Sequence, residues 1–453
     1  MSIDHLTLFA SVALILCYLC TMAFEFVNGF HDTANAVATV IYTKTLKPLV
    51  AIIWSGSWNF LGVLIVGTAV AMTLLKLVPL DHIITLPIGA GISLVFAILL
   101  ASIIWNTGTW YFGIPLSSTH TLIGAMVGAS LAFAYYYGGP GPNWSKTTDV
   151  GLSLLISPVI GFIGSWLLLS LEKRMIKSPR FFHVPQGDGD KPPLGIRALL
   201  VTTCTLVSFF HGSNDGQKGV GYLMLVLIVF LPASFAFNPK VPDVQTGQWL
   251  NQAAQTIISI PNTQKLNTEI DSAKQLATNK ASDQAKDKFK FRKSIQKVAD
   301  DLKKLGKQKD LQPDIKKQLE SEAGNLAKVT DFAPIWVILT ISFSLGLGTM
   351  IGWKRIVVTI GERIGKEPLN YAQGATAELV TAATIGLSTM FGLPVSTTHV
   401  LSSGVASAMR ASKGSKNLNY ATLKNIITAW VLTLPAAVIL GAALFALFHL
   451  FLH

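Results

Sequence analysis

Apolar stretches of membrane-crossing length recur along the whole of this chain, at residues 8–24, 49–75, 86–105, 150–171, 332–353 and 426–452. About 20 apolar residues are what a helix needs to span a bilayer. In lipid every backbone N–H and C=O must find a partner within the protein, which a helix supplies locally and an open strand does not. The chain is 51% hydrophobic and only 13% charged, where a soluble domain carries about a quarter charged residues. The expected fold is all-α and polytopic, with about 10–12 membrane segments.

Short polar islands interrupt these stretches, and they come in pairs. Gly113-Ile-Pro-Leu-Ser-Ser-Thr-His120 returns as Gly392-Leu-Pro-Val-Ser-Thr-Thr-His399. Asn28-Gly-Phe-His-Asp32-Thr-Ala-Asn35 is echoed more loosely by Gly212-Ser-Asn-Asp215-Gly-Gln-Lys218. Pro158, Gly161 and Gly164 find a counterpart in Pro435 and Gly441. Polar interruptions at matching places in two halves of a membrane chain point to a transporter's central binding site.

The spacing of the pairs locates an insertion. The interval from His120 to His399 is much longer than the interval from Asp32 to Asp215. The surplus in the second half coincides with a polar segment, residues 238–331, holding 17 Lys/Arg and 12 Asp/Glu. The expected organisation is a first transmembrane repeat (1–172), a cytoplasmic linker (173–197), the start of a second repeat (198–237), a soluble insertion (238–331) and the rest of the second repeat (332–453). Within the insertion, Leu266/Ile270/Ala273/Ala277 and Ile295/Val298/Leu302/Leu305 are spaced as one apolar helix face. Pro313 suits a helix start, and Ile315, Leu319 and Leu326 continue the pattern. A helical hairpin or three-helix cap without catalytic motifs is expected there.

The formal charge of +12 sits largely in short loops, as the positive-inside rule requires, and gives no indication of nucleic-acid binding. Basic loops at 172–197 (Lys173, Arg174, Lys177, Arg180, Lys191, Arg197) and 354–366 belong on the cytoplasmic side. The path between them crosses an even number of times, so 198–237 crosses once, broken near Asn214-Asp-Gly. The insertion and both termini then lie outside. The first repeat enters from the opposite face to the second, an inverted-topology repeat. Cys17, Cys20 and Cys204 lie in apolar segments and suggest neither disulfides nor a zinc site. Residues 1–6 lack a basic leader region, so no cleaved signal is expected.

The islands carry complementary chemistry. An ionised carboxylate at bilayer depth costs roughly 2.5–3.5 kcal/mol or more, so Asp32 and Asp215 must be paired, hydrated or coordinating. With the amides of Asn28, Asn35 and Asn214 they form a hard oxygen set suited to Na⁺, Mg²⁺ or a proton, and Asp32 and Asp215 are the candidate metal ligands. A carboxylate stapling two helices is the plainer alternative. Ser117-Ser118-Thr119 and Ser396-Thr397-Thr398 follow a Gly-x-Pro break and offer hydroxyl donors, with N–H groups if a helix starts there. Each repeat is thus expected to hold a broken helix and a re-entrant helical hairpin whose tip binds a small tetrahedral oxyanion. Ser and Thr also join membrane helices without any ligand. His31, His120, His211 and His399 adjoin the islands and either carry protons or hold the hairpins in shape. Glu25 and Glu378 stand open between the same two roles. Lys218 replaces Asn35 in the second copy and either pairs with an acid or attracts the anion.

The motif set resembles the inorganic phosphate transporter (PiT) family, in its bacterial low-affinity branch, over the whole chain except the insertion. Residues 28–36 and 113–120 carry the match in the first half, and 212–219 and 392–399 in the second. The resemblance implies phosphate held by Ser117, Ser118, Thr119, Ser396, Thr397 and Thr398, with cation or proton coupling at Asp32, Asn35 and Asp215. His31 and Gly216-Gln217-Lys218 depart from the family pattern, which favours protons over sodium. It further implies a bacterial inner-membrane location and a divalent metal carried with phosphate as a neutral complex. No cofactor and no enzymatic activity are expected. The bilayer and a second copy of the chain are the partners considered. Sulfate is the rival oxyanion, but lacking a proton at neutral pH it would be repelled by Asp32 and Asp215. An anion channel is the rival of another class, and islands on interrupted helices do not resemble a continuous pore.

Overall fold

The computed structural model describes residues 7–186, 189–277, 284–352 and 354–452. The leader reading of residues 1–6 and the position of the terminal His453 lie outside them. Among the described residues the chain is helical, with one isolated bridge between Gly365 and Leu418. In chain order the first helices are α1 (Leu8–Asp32), α2 (Ala34–Tyr42), α3 (Pro48–Ile65), α4 (Ala69–Leu75), α5 (Leu80–Ile83), α6 (Ile88–Tyr111), α7 (Ser118–Tyr137), α8 (Trp144–Met175) and α9 (Leu194–Phe230). They continue as α10 (Pro232–Phe235), α11 (Asp243–Ile258), α12 (Gln264–Gln275), α13 (Ala285–Gly306), α14 (Pro313–Thr330), α15 (Ile335–Thr349), α16 (Lys354–Val358), α17 (Tyr371–Met390), α18 (Thr397–Lys413) and α19 (Tyr420–Leu452). Six spans of this set are long and apolar enough to cross a membrane, α1 with α2 counting as one. The remaining long helices of the sequence repeats, such as α7 and α17, are shorter or more polar.

Two compact units are present. The larger comprises Leu16–Pro79, Ser93–Leu223 and the chain from Ile335. Its helices meet through glycines at matching places. A Cβ on Gly29 of α1 would lie 2.4 Å from Leu345 O of α15, and one on Gly212 of α9 would lie 2.1 Å from Asn59 O of α3. A Cβ on Gly348 would sit 2.2 Å from Phe26 O, and one on Gly62 2.1 Å from Phe209 O. The step along the chain that takes Asp32 to Asp215 also takes Phe26 and Gly29 to Phe209 and Gly212. A second common step takes Asn59 and Gly62 to Leu345 and Gly348. Each copy's first helix therefore packs on the other copy's next helix by the same backbone approach. Small residues permit such approach where no hydrophobic force distinguishes protein from lipid. Likewise α7 packs on α19 and α18 on α8, where a Cβ on Gly441 would lie 2.6 Å from Ala125 O and one on Gly161 2.4 Å from Val400 O.

The expected breaks differ between the copies. In the first, Thr33 separates α1 from α2, and its Oγ1 donates to Gly29 O (2.6 Å) and Thr349 O (2.9 Å). In the second, α9 runs unbroken through Asn214-Asp-Gly. A mid-helix glycine costs only about 1 kcal/mol, and Gly216 leaves room for Val63, whose Cγ2 would be 2.2 Å from a Cβ there. Side-chain bonds from Asn214 absorb the remaining polarity, so nothing forces the helix open. The linker is also shorter than expected, because α8 continues to Met175 and α9 begins at Leu194. Charge does not end α8: Lys173 Nζ donates to Ala411 O and Ser412 O, each at 3.1 Å, at the C-terminal end of α18, where a cation suits the helix dipole.

The smaller unit contains Leu80–Ile92 and Met224–Pro334. Its insertion holds four helices, α11–α14, rather than two or three. Leu266, Ile270, Ala273, Ile295, Val298, Leu302, Leu319 and Leu326 are buried at the expected faces. α11 escapes the pattern because its buried face, Thr246, Leu250, Ala253 and Ile257, mixes one long aliphatic pair with small and polar residues. Arg292 is buried in this unit, its Nη1 donating to Ala236 O at 2.5 Å, and burial pulls its guanidinium below the usual range.

Candidate functional site

The two hairpin turns are built alike. α6 ends as Gly113 N–H bonds Trp110 O (2.9 Å) and Ile114 N–H bonds Thr109 O (3.0 Å). α17 ends as Gly392 N–H bonds Thr389 O (3.0 Å) and Leu393 N–H bonds Ser388 O (2.9 Å). This crossed pair is a Schellman cap. It needs a left-handed residue, and Gly113 and Gly392 both have φ +66°. Pro115 and Pro394 follow, where a helix cannot resume. Ser117 and Ser396 then cap the next helices, accepting from His120 N and His399 N, each at 3.2 Å. In both copies the first triplet hydroxyl therefore caps its helix as an acceptor, and its own hydrogen is not used in that bond.

Asp32 lies where both hairpins meet α1. Its Oδ2 accepts from Ser118 Oγ (3.0 Å), and its Oδ1 from Thr398 Oγ1 (2.7 Å) and Asn35 Nδ2 (3.2 Å). Asn35 Nδ2 also approaches Thr398 Oγ1 (3.0 Å) and Thr397 Oγ1 (3.3 Å). The sequence pattern sets the carboxylate beside the hydroxyls. In the structure it accepts their hydrogen bonds directly. Asp215 is engaged differently. Lys218 Nζ lies 2.8 Å from its Oδ1 and donates to Thr119 Oγ1, while Thr119 donates to Val395 O at 3.0 Å.

His211 joins the two acids. Its Nε2 is 3.7 Å from Asp32 Oδ2 and 3.6 Å from Asp215 Oδ2. The three ligand atoms lie within 4.8 Å of one another, a grouping able to hold a metal ion. The tautomer follows from its other neighbour. Thr349 Oγ1 gives its hydrogen to Leu345 O (2.9 Å) and so must accept from Asn59 Nδ2 (2.9 Å). That places Asn59 Oδ1, an acceptor only, 3.0 Å from His211 Nδ1, which must therefore carry hydrogen. Nε2 is left facing two carboxylates.

Other candidates are placed less centrally. His31 Nδ1 is 3.5 Å from Asp32 Oδ1. Asn28 Nδ2 donates to Glu25 Oε2 at 3.4 Å. Asn214 Nδ2 donates to Thr389 Oγ1 (2.9 Å) and Leu393 O (3.1 Å), and its Oδ1 accepts from Val395 N (3.3 Å). It ties α9 to the second hairpin turn. The rings of His120 and His399 meet at 4.5 Å, and His399 stacks on Trp430 at 3.9 Å. Glu378 accepts from Thr203 Oγ1 (2.5 Å) and shares no described partner with Asp32 or Asp215. Asn59, Thr349 and Thr203 are absent from the sequence-based set. Asn59 carries a signal there, as a lone amide within the apolar run 49–75.

The centre is closed and rich in acceptors. Asp32, Asp215, Asn35, Lys218 and the triplet hydroxyls are at most 2% exposed, and none of them lines the cavity of about 520 Å³ bounded by Trp110, Tyr111, Gly113 and Arg355. Buried atoms without a hydrogen-bond partner include Glu25 Oε1, Asn28 Oδ1, Asn35 Oδ1 and Asp215 Oδ2. The Asp32 and Asp215 ligand oxygens lie within 4.8 Å of each other, so two ionised carboxylates there repel.

A profile described as the phosphate transporter family matches residues 28–441. The chain is 36% identical to the low-affinity inorganic phosphate transporter PitA of Escherichia coli K12, covering 97% of each chain. It is 38% identical to the low-affinity inorganic phosphate transporter of Buchnera aphidicola from Acyrthosiphon pisum, covering 93% of this chain and 94% of that one. A solved structure described as the sodium-dependent phosphate transporter shares the fold at a TM-score of 0.64 and 20% identity, over 97% of this chain and 99% of that one. Matched from its first polar island to the last paired glycine, the chain belongs to the phosphate transporter (PiT) family of membrane proteins.

Proposed function

We propose that the protein is a secondary active transporter that imports inorganic phosphate by proton symport, with Asp32 as the group phosphate displaces. The observation that carries this reading is the pair of bonds from Ser118 and Thr398 to the Asp32 carboxylate. A carboxylate held by hydroxyls from two helix starts is a resident substitute for an oxyanion. Ser118, Thr119, Thr397 and Thr398 turn to phosphate once Asp32 is neutralised by a proton or a cation, and Ser117 and Ser396 keep the turns in shape. The gap between the two carboxylates, which His211 Nε2 faces at 3.7 and 3.6 Å, is where such an added positive charge would meet both acids. Two carboxylates and an imidazole also suit a divalent metal entering with phosphate as a neutral complex, in which case the metal is cargo. Phosphate, which retains a proton at neutral pH, donates to these acceptors where sulfate does not.

On this reading the two copies are inverted repeats whose relative rocking opens the closed centre to each side in turn. The membrane is the bacterial inner membrane, the termini and the insertion face outward, and a homodimer is the assembly considered. Sodium coupling is the second reading. The unpartnered oxygens of Asn28 and Asn35 favour it, since amide and carboxylate oxygens suit hard cations, and the fold neighbour is described as sodium-dependent. Labelled phosphate uptake into proteoliposomes under separate pH and sodium gradients tests both. Lack of phosphate uptake under either gradient would overturn the function.

A further inference from the structure

Asn35 and Lys218 occupy corresponding positions, at the same step along the chain after Asp32 and Asp215 respectively. Their surroundings correspond too. Asn35 Nδ2 donates to Asp32 Oδ1 (3.2 Å) and Thr398 Oγ1 (3.0 Å). Lys218 Nζ lies 2.8 Å from Asp215 Oδ1 and donates to Thr119 Oγ1. Thr119 and Thr398 are themselves counterparts, each directly preceding its copy's histidine, His120 or His399. One half is an acid, an amide and a hydroxyl; the other is an acid, an ammonium and a hydroxyl. The matched settings differ by one full positive charge.

We propose that Lys218 is a tethered coupling cation, holding in the Asp215 half the place that a transported proton or cation takes in the Asp32 half. This rests on the phosphate-symport reading above. Neither Asp215 oxygen accepts a well-directed hydrogen bond, so the Lys218 charge, one helical turn away, is its compensation. Glu25 presses on the same turn: a Cβ on Gly219 would lie 2.4 Å from its Oε1. The ammonium therefore sits in an acidic, fully buried setting, where an untethered cation would bind in its absence. Because its stem is anchored in α9, it lends charge to phosphate binding without crossing the membrane. Each transported phosphate then needs one mobile positive charge fewer than two amide-bearing halves would demand.

The test counts charges. Wild type, Lys218→Asn and Lys218→Arg are reconstituted, and the cations moved per phosphate are read from the voltage at which transport reverses, with and without sodium. Lys218→Asn should move one more sodium ion or proton per phosphate than wild type, and Lys218→Arg should keep the wild-type count. An unchanged count in Lys218→Asn overturns the proposal. If that variant carries no current, the detergent-solubilised, monodisperse protein is titrated with radioactive sodium and with acid. One additional bound sodium ion or proton relative to wild type supports the proposal, and equal binding overturns it. A wild type that moves no phosphate defeats the symport reading instead, and the binding comparison still judges Lys218.

Discussion

Asn59 Oδ1 lies 3.0 Å from His211 Nδ1, and this contact decides which ring nitrogen faces Asp32 and Asp215. Replacing Asn59 with Leu removes the acceptor and leaves Nδ1–H buried without a partner, at a cost of about 1–3 kcal/mol. The ring is then free to turn. Phosphate uptake by Asn59→Leu in proteoliposomes should fall by roughly tenfold or more, since about 1.4 kcal/mol is a factor of ten. Wild-type uptake would remove His211 orientation from the mechanism.

Asp32→Asn replaces two acceptor oxygens by one and adds a donor against Ser118 and Thr398. Uptake of labelled phosphate should be abolished while the protein remains monodisperse. Asp215→Asn should also abolish it, because Lys218 would then be a buried cation without its acid, and breaking such a pair costs about 3–5 kcal/mol. Near-normal uptake by either variant takes that residue out of the site.

Thr398→Val removes the donor nearest Asp32 (2.7 Å) at almost unchanged volume. If the hydroxyl turns to phosphate, apparent phosphate affinity falls about tenfold, in line with a lost bond to a charged group of ~1.5–3 kcal/mol. Thr381→Val is the control: its hydroxyl bonds only Ala377 O within its own helix, and affinity should hold. Equal losses in both would mean that the hydroxyls serve packing alone.

Gly212→Leu should prevent folding, because the first added carbon would lie 2.1 Å from Asn59 O. Gly108→Leu, with no atom within 4 Å of its Cβ position, should be tolerated. Yields of monodisperse protein after detergent extraction compare the two.

Outward placement of the insertion predicts that cysteines at Thr268 and Lys307 react with a membrane-impermeant thiol reagent in intact cells. Labelling only after permeabilisation would reverse the topology.

Much of the fold and site is legible in residue order. The apolar runs require helices, and the repeated Gly-x-Pro-x-Ser-[Ser/Thr]-Thr-His specifies a capped turn so fully that both copies have Gly φ +66° and a 3.2 Å Ser cap. Local chemistry decides such features. What escapes depends on distant partners. Nothing around Asp215 says that Lys218 reaches Thr119, 99 residues earlier, or that Asn59, 152 residues before His211, fixes that ring while itself held by Thr349, 290 residues further on than Asn59. The missing break in α9 has the same origin, because Asn214 finds its acceptors on the second hairpin.

On the proposed reading, a proton taken up at the Asp32–His211–Asp215 cluster releases the hydroxyls to phosphate. The most direct test is labelled phosphate accumulation in sodium-free proteoliposomes with an imposed pH gradient, acidic on the side of phosphate entry. Phosphate should accumulate uphill, and the accumulation should collapse when a protonophore is added. No accumulation there, together with full accumulation under a sodium gradient at uniform pH, would contradict that reading.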